Sequence, residues 1–166
     1  KRRGGMVVGL CGGYQILGRI LDDASGVEGA PARAKGLGLL NVETTIEKEK
    51  TLCEVRGREV ASSEEVKGYE MHMGQTTGDD QKRPWIVLED GREEGAVSQD
   101  GLVMGSYIHG LFAADGFRHA FLSRLREGRA KGTSYDAMIE ETLDALAAHL
   151  EAHMDLDKIL AAAGPV

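Results

Sequence analysis

A short apolar run ending on a glycine-bracketed cysteine constrains this chain more than any other feature. Met6-Val7-Val8-Gly9-Leu10 is continuous and apolar, the pattern of a strand buried on both faces of a sheet. Cys11-Gly12-Gly13 follows, and then Ile16, Leu17, Ile20 and Leu21 recur at helical spacing. A sharp turn from strand to helix brings backbones close together, so it needs small residues two positions either side of the corner. Gly9 and Gly13 supply them. A strand of this kind requires neighbours on both sides. A chain that opens on such a strand is expected to be the C-terminal part of something longer.

The corner Gly9-Leu10-Cys11-Gly12-Gly13 has the form G-x-C-x-G, the cysteine version of a nucleophile elbow. A helix N-terminus carries partial positive charge and favours thiolate over thiol. The Gly12 amide is placed to point at an oxyanion formed on a substrate carbonyl. Gln15 lies one turn further along the same helix face, where it can hold a polar substrate beside the sulfur. Cys53 sits in strand-like sequence with no such surroundings and reads as a packing residue.

The rest of the chain reads as α/β. Leu40, Val42, Thr44 and Ile46 alternate, as do residues around Leu52 and Val55. From Val66 to Thr76 an extended stretch puts Tyr69, Met71 and Met73 on one face and Glu70 and His72 on the other. Pro84 to Leu88 is a further strand. Gly95–Ser98 and Leu102–Met104 flank Gln99-Asp100-Gly101, a hairpin signal, and the second arm runs on to His109. Asp115 is placed to cap a helix carrying Phe117, Phe121, Leu122 and Leu125. Gly128 and Gly132 punctuate. Ser134 then starts a long helix with Ile139, Leu143, Leu146 and Leu150 on one stripe, expected to dock on the sheet or a partner domain.

Composition narrows the function. Acidic residues outnumber basic ones 27 to 20, which argues against a binder that works by neutralising nucleic-acid phosphates. No apolar run approaches the ~20 residues that cross a bilayer, and no secretory leader opens the chain, so no membrane partner and a cytoplasmic location are expected. Two cysteines make neither a disulfide framework nor a zinc cage. His149 and His153 stand one helical turn apart but lack a third ligand nearby, so no metal site is expected.

A cysteine nucleophile needs a proton-transfer partner. Among five histidines, His119 falls inside a helix, and His149 and His153 read as a solvated face. His109 ends a strand before Gly110, at the sheet edge where catalytic groups gather in open α/β folds. His72 is polar, extended and near Gly74. Spacing alone keeps both in play, with His109 ahead.

Three stretches in order carry a resemblance. Gly9-Leu10-Cys11-Gly12-Gly13-Tyr14-Gln15-Ile16-Leu17-Gly18, Gly68-Tyr69-Glu70-Met71-His72-Met73-Gly74 and Gly105-Ser106-Tyr107-Ile108-His109-Gly110-Leu111-Phe112 are similar to the glutamine amidotransferase domains of the cobyric acid synthase family. The resemblance covers nearly the whole chain. It implies a class I amidotransferase-like fold: a flavodoxin-like, mostly parallel sheet with helices on both faces. Residues 1–166 would form the C-terminal portion of that domain, with its first strands and a synthetase domain upstream.

The resemblance also implies an activity. Cys11 matches the family nucleophile, His109 the family histidine, and Gln15 the substrate-holding position; Gly12 would supply an oxyanion donor. Glutamine would be hydrolysed, and ammonia would pass by a covered path to an ATP- and Mg²⁺-dependent synthetase domain that amidates a corrinoid, adenosylcobyrinic acid a,c-diamide. This domain itself would need no cofactor. One departure stands out: many class I amidotransferases place glutamate two positions after the histidine, where this chain has Leu111. The site would then run as a dyad, with Glu70 and His72 as accessory candidates. Three alternatives remain: the related a,c-diamide synthase type, another Cys-His hydrolase, and a catalytically silent docking domain.

Overall fold

In the computed structural model, which describes residues 1–126, 132 and 134–164, the chain divides into two units, Lys1–Arg129 and Ala130–Val166. The first unit holds every strand of the described residues. β1 (Val7–Leu10) turns through Cys11 into α1 (Gly12–Leu17). The helix is shorter than the sequence pattern suggests. Gly18 ends it, and Ile20 and Leu21 belong instead to β2 (Ile20–Asp23). A Cβ at Gly18 would lie 2.8 Å from the Val42 carbonyl, so strand backbone packs where another helical turn would run.

β3 (Ala32–Lys35) pairs antiparallel with β2. β4 (Val42–Glu59) and β5 (Glu65–Gly78) form a long antiparallel pair. The two alternating segments expected near Leu40–Ile46 and Leu52–Val55 are thus one strand, with a register shift between Thr45 and Lys50. β6 (Ile86–Leu88), β7 (Glu93–Glu94), β8 (Ala96–Val97), β9 (Val103–Ser106) and β10 (Ile108–His109) follow. The hairpin expected around Gln99-Asp100-Gly101 is present, since β8 pairs antiparallel with β9. In its turn Asp100 accepts from the Ser98 hydroxyl, Lys1 and the Leu102 amide, which hold its carboxyl down at about 2.

The α/β class holds, and the pairing is mixed. β1 with β9 and β2 with β4 run parallel; the other pairs are antiparallel. One sheet has the order β1-β9-β8; the other runs β10-β5-β4-β2-β3, with β6 and β7 added beside β4. β1 is an edge strand, and three of its four residues are half-buried rather than covered on both faces. The second arm of the hairpin breaks at Tyr107, where the chain leaves one sheet as β9 and enters the other as β10.

α2 (Asp115–Leu125) closes this unit by burying Phe117 and Phe121 against Trp85. Asp115 is its first helical residue, not its cap. Ala114 holds the cap position, and Asp115 instead pairs with Arg118 at 2.6 Å, one turn on. Arg124 and the Trp85 indole both donate to the buried Glu59 carboxylate, tying α2 to the end of β4. Removing the cation from a buried ion pair costs about 3–5 kcal/mol, and Arg124 is the cation paired with Glu59.

The second unit is helical: α3 (Tyr135–His153) and α4 (Leu156–Ala163). Ser134 caps α3, as expected, by accepting from the Ala137 amide. Ile139, Leu143, Leu146 and Leu150 lie on α3, and all four keep exposed surface. Gly132 lies outside regular structure, and Gly128 lies outside the described residues. Among the described residues no helix is long and apolar enough to cross a membrane.

Candidate active site

Cys11 occupies the corner in a backbone conformation that L-residues rarely adopt, φ 52° and ψ −120°. Such strain persists only where surrounding structure imposes it, and it concentrates at functional sites. Two features impose it here. The Cys11 amide donates to the Ser106 carbonyl at 2.8 Å, fixing the entry to the turn on β9. Tyr14 and Gln15 amides donate back to the Cys11 carbonyl, fixing the exit as the first turn of α1.

Gly9 is the small residue the corner needs. A Cβ there would meet the Gly13 carbonyl oxygen at 2.6 Å and Leu17 at 2.5 Å. Gly13 differs from expectation: a Cβ on it would meet nothing, so it serves by bringing its carbonyl against Gly9 rather than by lacking a side chain. Gly12 is the first helical residue, and its amide has no acceptor within the helix. It is therefore available to an external oxygen.

β5 gathers the rest of the site. The Cys11 thiol donates to the Met71 carbonyl at 3.3 Å, and the Gln15 amide nitrogen donates to the Met73 carbonyl at 3.2 Å. His109 pairs with Tyr69 on the same strand, and the two rings stack 5.0 Å apart, nearly parallel. This close pairing depends on Gly68, where a Cβ would lie 2.1 Å from the His109 carbonyl oxygen. Cys11, Gln15 and His109 thus meet one strand within the span Tyr69 to Met73. Nε2 of His109 is buried and has no hydrogen-bond partner among the described residues, so the proton of Cys11 is shared with β5 and not with the imidazole.

The accessory candidates sit differently. Glu70 is buried, but both Arg92 guanidinium nitrogens hold it at 3.1 Å and the Cys53 thiol donates to it at 3.4 Å. All three bonds fall on Oε2 of the carboxylate. His72 stacks on Tyr107 at 3.8 Å, and its Nδ1 lies 3.1 Å from the Gly74 carbonyl. Leu111, at the position of the expected glutamate, is fully buried in the apolar core beneath α2. An acid there would face hydrocarbon.

Two neighbours of the site were not read from the sequence. The Tyr107 hydroxyl bonds to Thr76 at 2.6 Å, and Thr76 to Thr44 at 2.7 Å, a buried hydroxyl chain; burial pushes the Tyr107 phenol up. Glu94 lies beneath the corner with its carboxylate on Ser106 and Tyr107. Its signal was a period of two. Glu94, Ala96 and Ser98 alternate inward, and all three are buried. His149 and His153 stack at 4.2 Å on α3, and no cluster of three or more His, Cys, Asp or Glu able to hold a metal occurs among the described residues.

Fold and corner together define an α/β protein of the cysteine-elbow type, the cysteine sitting where one strand hands over to a helix. Residues 1–117 match the CobB/CobQ-like glutamine amidotransferase domain, and the chain belongs to that family. It is 55% identical over 159 residues to a cobyric acid synthase of Methylocella silvestris, covering 96% of this chain and 33% of that protein. It is 54% identical over 162 residues to one of Cereibacter sphaeroides (98% and 33%). A third, from Methylorubrum populi, is 54% identical over 166 residues (99% and 34%). The chain spans about a third of the length of the curated relatives it matches.

Proposed function

We propose that this chain is the glutaminase part of a cobyric acid synthase. It releases ammonia from glutamine for an ATP-dependent synthetase domain that amidates the side-chain carboxylates of adenosylcobyrinic acid a,c-diamide. The observation that carries the reading is the strained Cys11 corner set against β5, with a His109 nitrogen that has no hydrogen-bond partner among the described residues on β10, paired to the same strand. The names of the similar proteins and the Gly68–Gly74 stretch favour this acceptor over that of the a,c-diamide type. ATP and Mg²⁺ are assigned to the synthetase domain, and none of the residues named here is asked to hold them.

The chemistry is acyl transfer. His109 takes the Cys11 thiol proton, and Sγ attacks the side-chain amide carbon of glutamine. The Gly12 amide donates to the oxyanion that forms. Gln15, on the same face of α1, exchanges its bond to Met73 for one to the bound amino acid. The C–N bond breaks as His109 returns the proton to the leaving nitrogen, giving ammonia and a thioester on Cys11. Water, deprotonated by His109, then cleaves the thioester to glutamate and the free thiol.

The test uses the full-length protein, with glutamine or ammonium as nitrogen donor and the a,c-diamide as acceptor. Cys11→Ala is expected to abolish glutamine-dependent synthesis and spare ammonia-dependent synthesis. Intact glutamine use in that variant would favour a silent docking domain instead. Ester cleavage without ammonia release would favour another Cys-His hydrolase.

A further inference from the structure

Where the chain crosses from β9 to β10, one buried carboxylate holds two consecutive residues directly and a third through the first of them. Glu94 is 5% exposed and Ser106 is fully buried. The Tyr107 amide donates to Glu94 Oε1 at 2.7 Å, and the Ser106 hydroxyl donates to Glu94 Oε2 at 2.8 Å. The same hydroxyl accepts from the Ile108 amide at 3.0 Å. At this crossing the backbone passes between two sheets, and a side chain supplies acceptors that a neighbouring strand would otherwise give.

The held residues lead in two directions. The Ser106 carbonyl receives the Cys11 amide, so it sets the corner that carries the sulfur. Ile108 leads directly into His109, whose register on Tyr69 places the imidazole. Leu111 leaves the histidine without the carboxylate expected two residues on from the class I amidotransferase pattern. We infer that Glu94 is the positioning residue of this site: its carboxylate clamps the β9–β10 crossing and so fixes the Cys11 corner and the His109 ring relative to one another. This rests on the glutaminase reading above and goes beyond it by assigning the residue that aligns the pair.

The clamp works in its ionised form, because an anionic carboxylate accepts from both Ser106 and Tyr107 with no donor of its own. Burial opposes that form and pushes the Glu94 carboxyl up to about 7. The ionisable groups around it are Tyr14 from α1, Glu70 from β5, Tyr107 at the crossing, and Arg92 from the loop before β7. Glu70 adds to the cost of the charge and Arg92 relieves part of it, while the Tyr14 phenol, itself pushed up by burial and by Glu94, stays neutral. A carboxyl raised in the folded state stabilises the fold below its unfolded value and loses that contribution as pH climbs to about 7. The charge that aligns the site is therefore one the fold would do better without.

That opposition gives the test. In the full-length protein at pH 8, Glu94→Gln is expected to lower kcat for glutamine hydrolysis about 10- to 100-fold, the scale of a small misplacement of reacting groups. KM for glutamine and ammonia-dependent synthesis stay within about twofold, and the melting temperature at pH 8 is unchanged or raised, since a buried charge is gone. Glu94→Asp, which keeps the charge on a shorter stem, recovers an intermediate kcat. The native enzyme loses kcat from pH 8 to pH 6 more steeply than Glu94→Gln does. A kcat for Glu94→Gln within twofold of native overturns the inference. So does a kcat loss that comes with a lower melting temperature and lost ammonia-dependent synthesis, whichever variant is used. If Cys11→Ser left glutamine hydrolysis intact, the glutaminase reading itself would fall, and this inference with it; if only the Glu94 variants behave as native, that reading stands and the inference alone fails.

Discussion

The two cysteines meet β5 at adjacent residues. Cys11 donates to the Met71 carbonyl, and Cys53, on β4, lies directly opposite Glu70 in the ladder. Cys11 stands half-buried at a corner with positive φ, its own amide committed to Ser106 and its carbonyl to the first turn of α1. Cys53 is exposed in an ordinary extended strand, and its thiol donates to a carboxylate. Desolvation and then the Glu70 carboxylate push the Cys53 thiol up. In the proposed function the first thiol is the one offered to substrate, whereas the second is a thiol pushed up by its surroundings. The difference comes from backbone geometry and from whether the neighbouring oxygen carries charge.

The contrast breaks most sharply by exchange of the sulfur. Cys11→Ala should lower glutamine-dependent turnover by more than ~10³-fold, as for the loss of a covalent nucleophile. Cys53→Ser should leave it within about twofold, as for a surface change. Both are read from glutamate release. Comparable losses would erase the distinction. Next in size, His109→Asn should cost about 10²- to 10⁴-fold in kcat, the usual worth of a positioned acid–base group, with ammonia-dependent synthesis retained.

Gly9→Ala tests the corner by stability. The added Cβ would overlap the Gly13 carbonyl at 2.6 Å, which is backbone and has little room to give. Overpacking of that kind costs about 1–3 kcal/mol, and Gly13→Ala, facing open space, should cost well under that. Urea unfolding of the two variants checks the order. The smallest effect lies at Cys53. Its raised thiol leaves less thiolate at pH 8 than an ordinary cysteine has, so alkylation is slow and rises with pH beyond the usual range. Glu70→Gln, removing the opposing charge, should speed it several-fold, measured by mass spectrometry of the labelled peptide.

The corner was legible because its constraints are local. Gly9, Cys11 and Gly13 lie within five residues, and their spacing announces the turn, although Ser106 on β9 fixes its entry. The Ser134 cap and the hairpin at Gln99–Gly101 were legible for the same reason. What failed to read depended on distant strands. Ile20 and Leu21 fit a helix by spacing, yet the Val42 backbone beside Gly18 turns them into β2. Asp115 had a capping side chain, but its partner is Arg118 and the cap position falls to Ala114. Within the site, Glu70 shares a strand face with His72, and nothing in its neighbourhood in sequence announces that Arg92, 22 residues later, claims its carboxylate. Glu94 was hidden in the same way, since its partners lie 12 and 13 residues on and meet it only through the β8–β9 hairpin.

A diazoketone analogue of glutamine, incubated with the full-length protein and followed by peptide mass spectrometry, tests most directly whether the sulfur at the corner is the one that meets substrate. One adduct per chain on Cys11, suppressed by excess glutamine, is the result this structure predicts. An adduct on Cys53, or labelling of Cys11 that glutamine does not protect against, would contradict it.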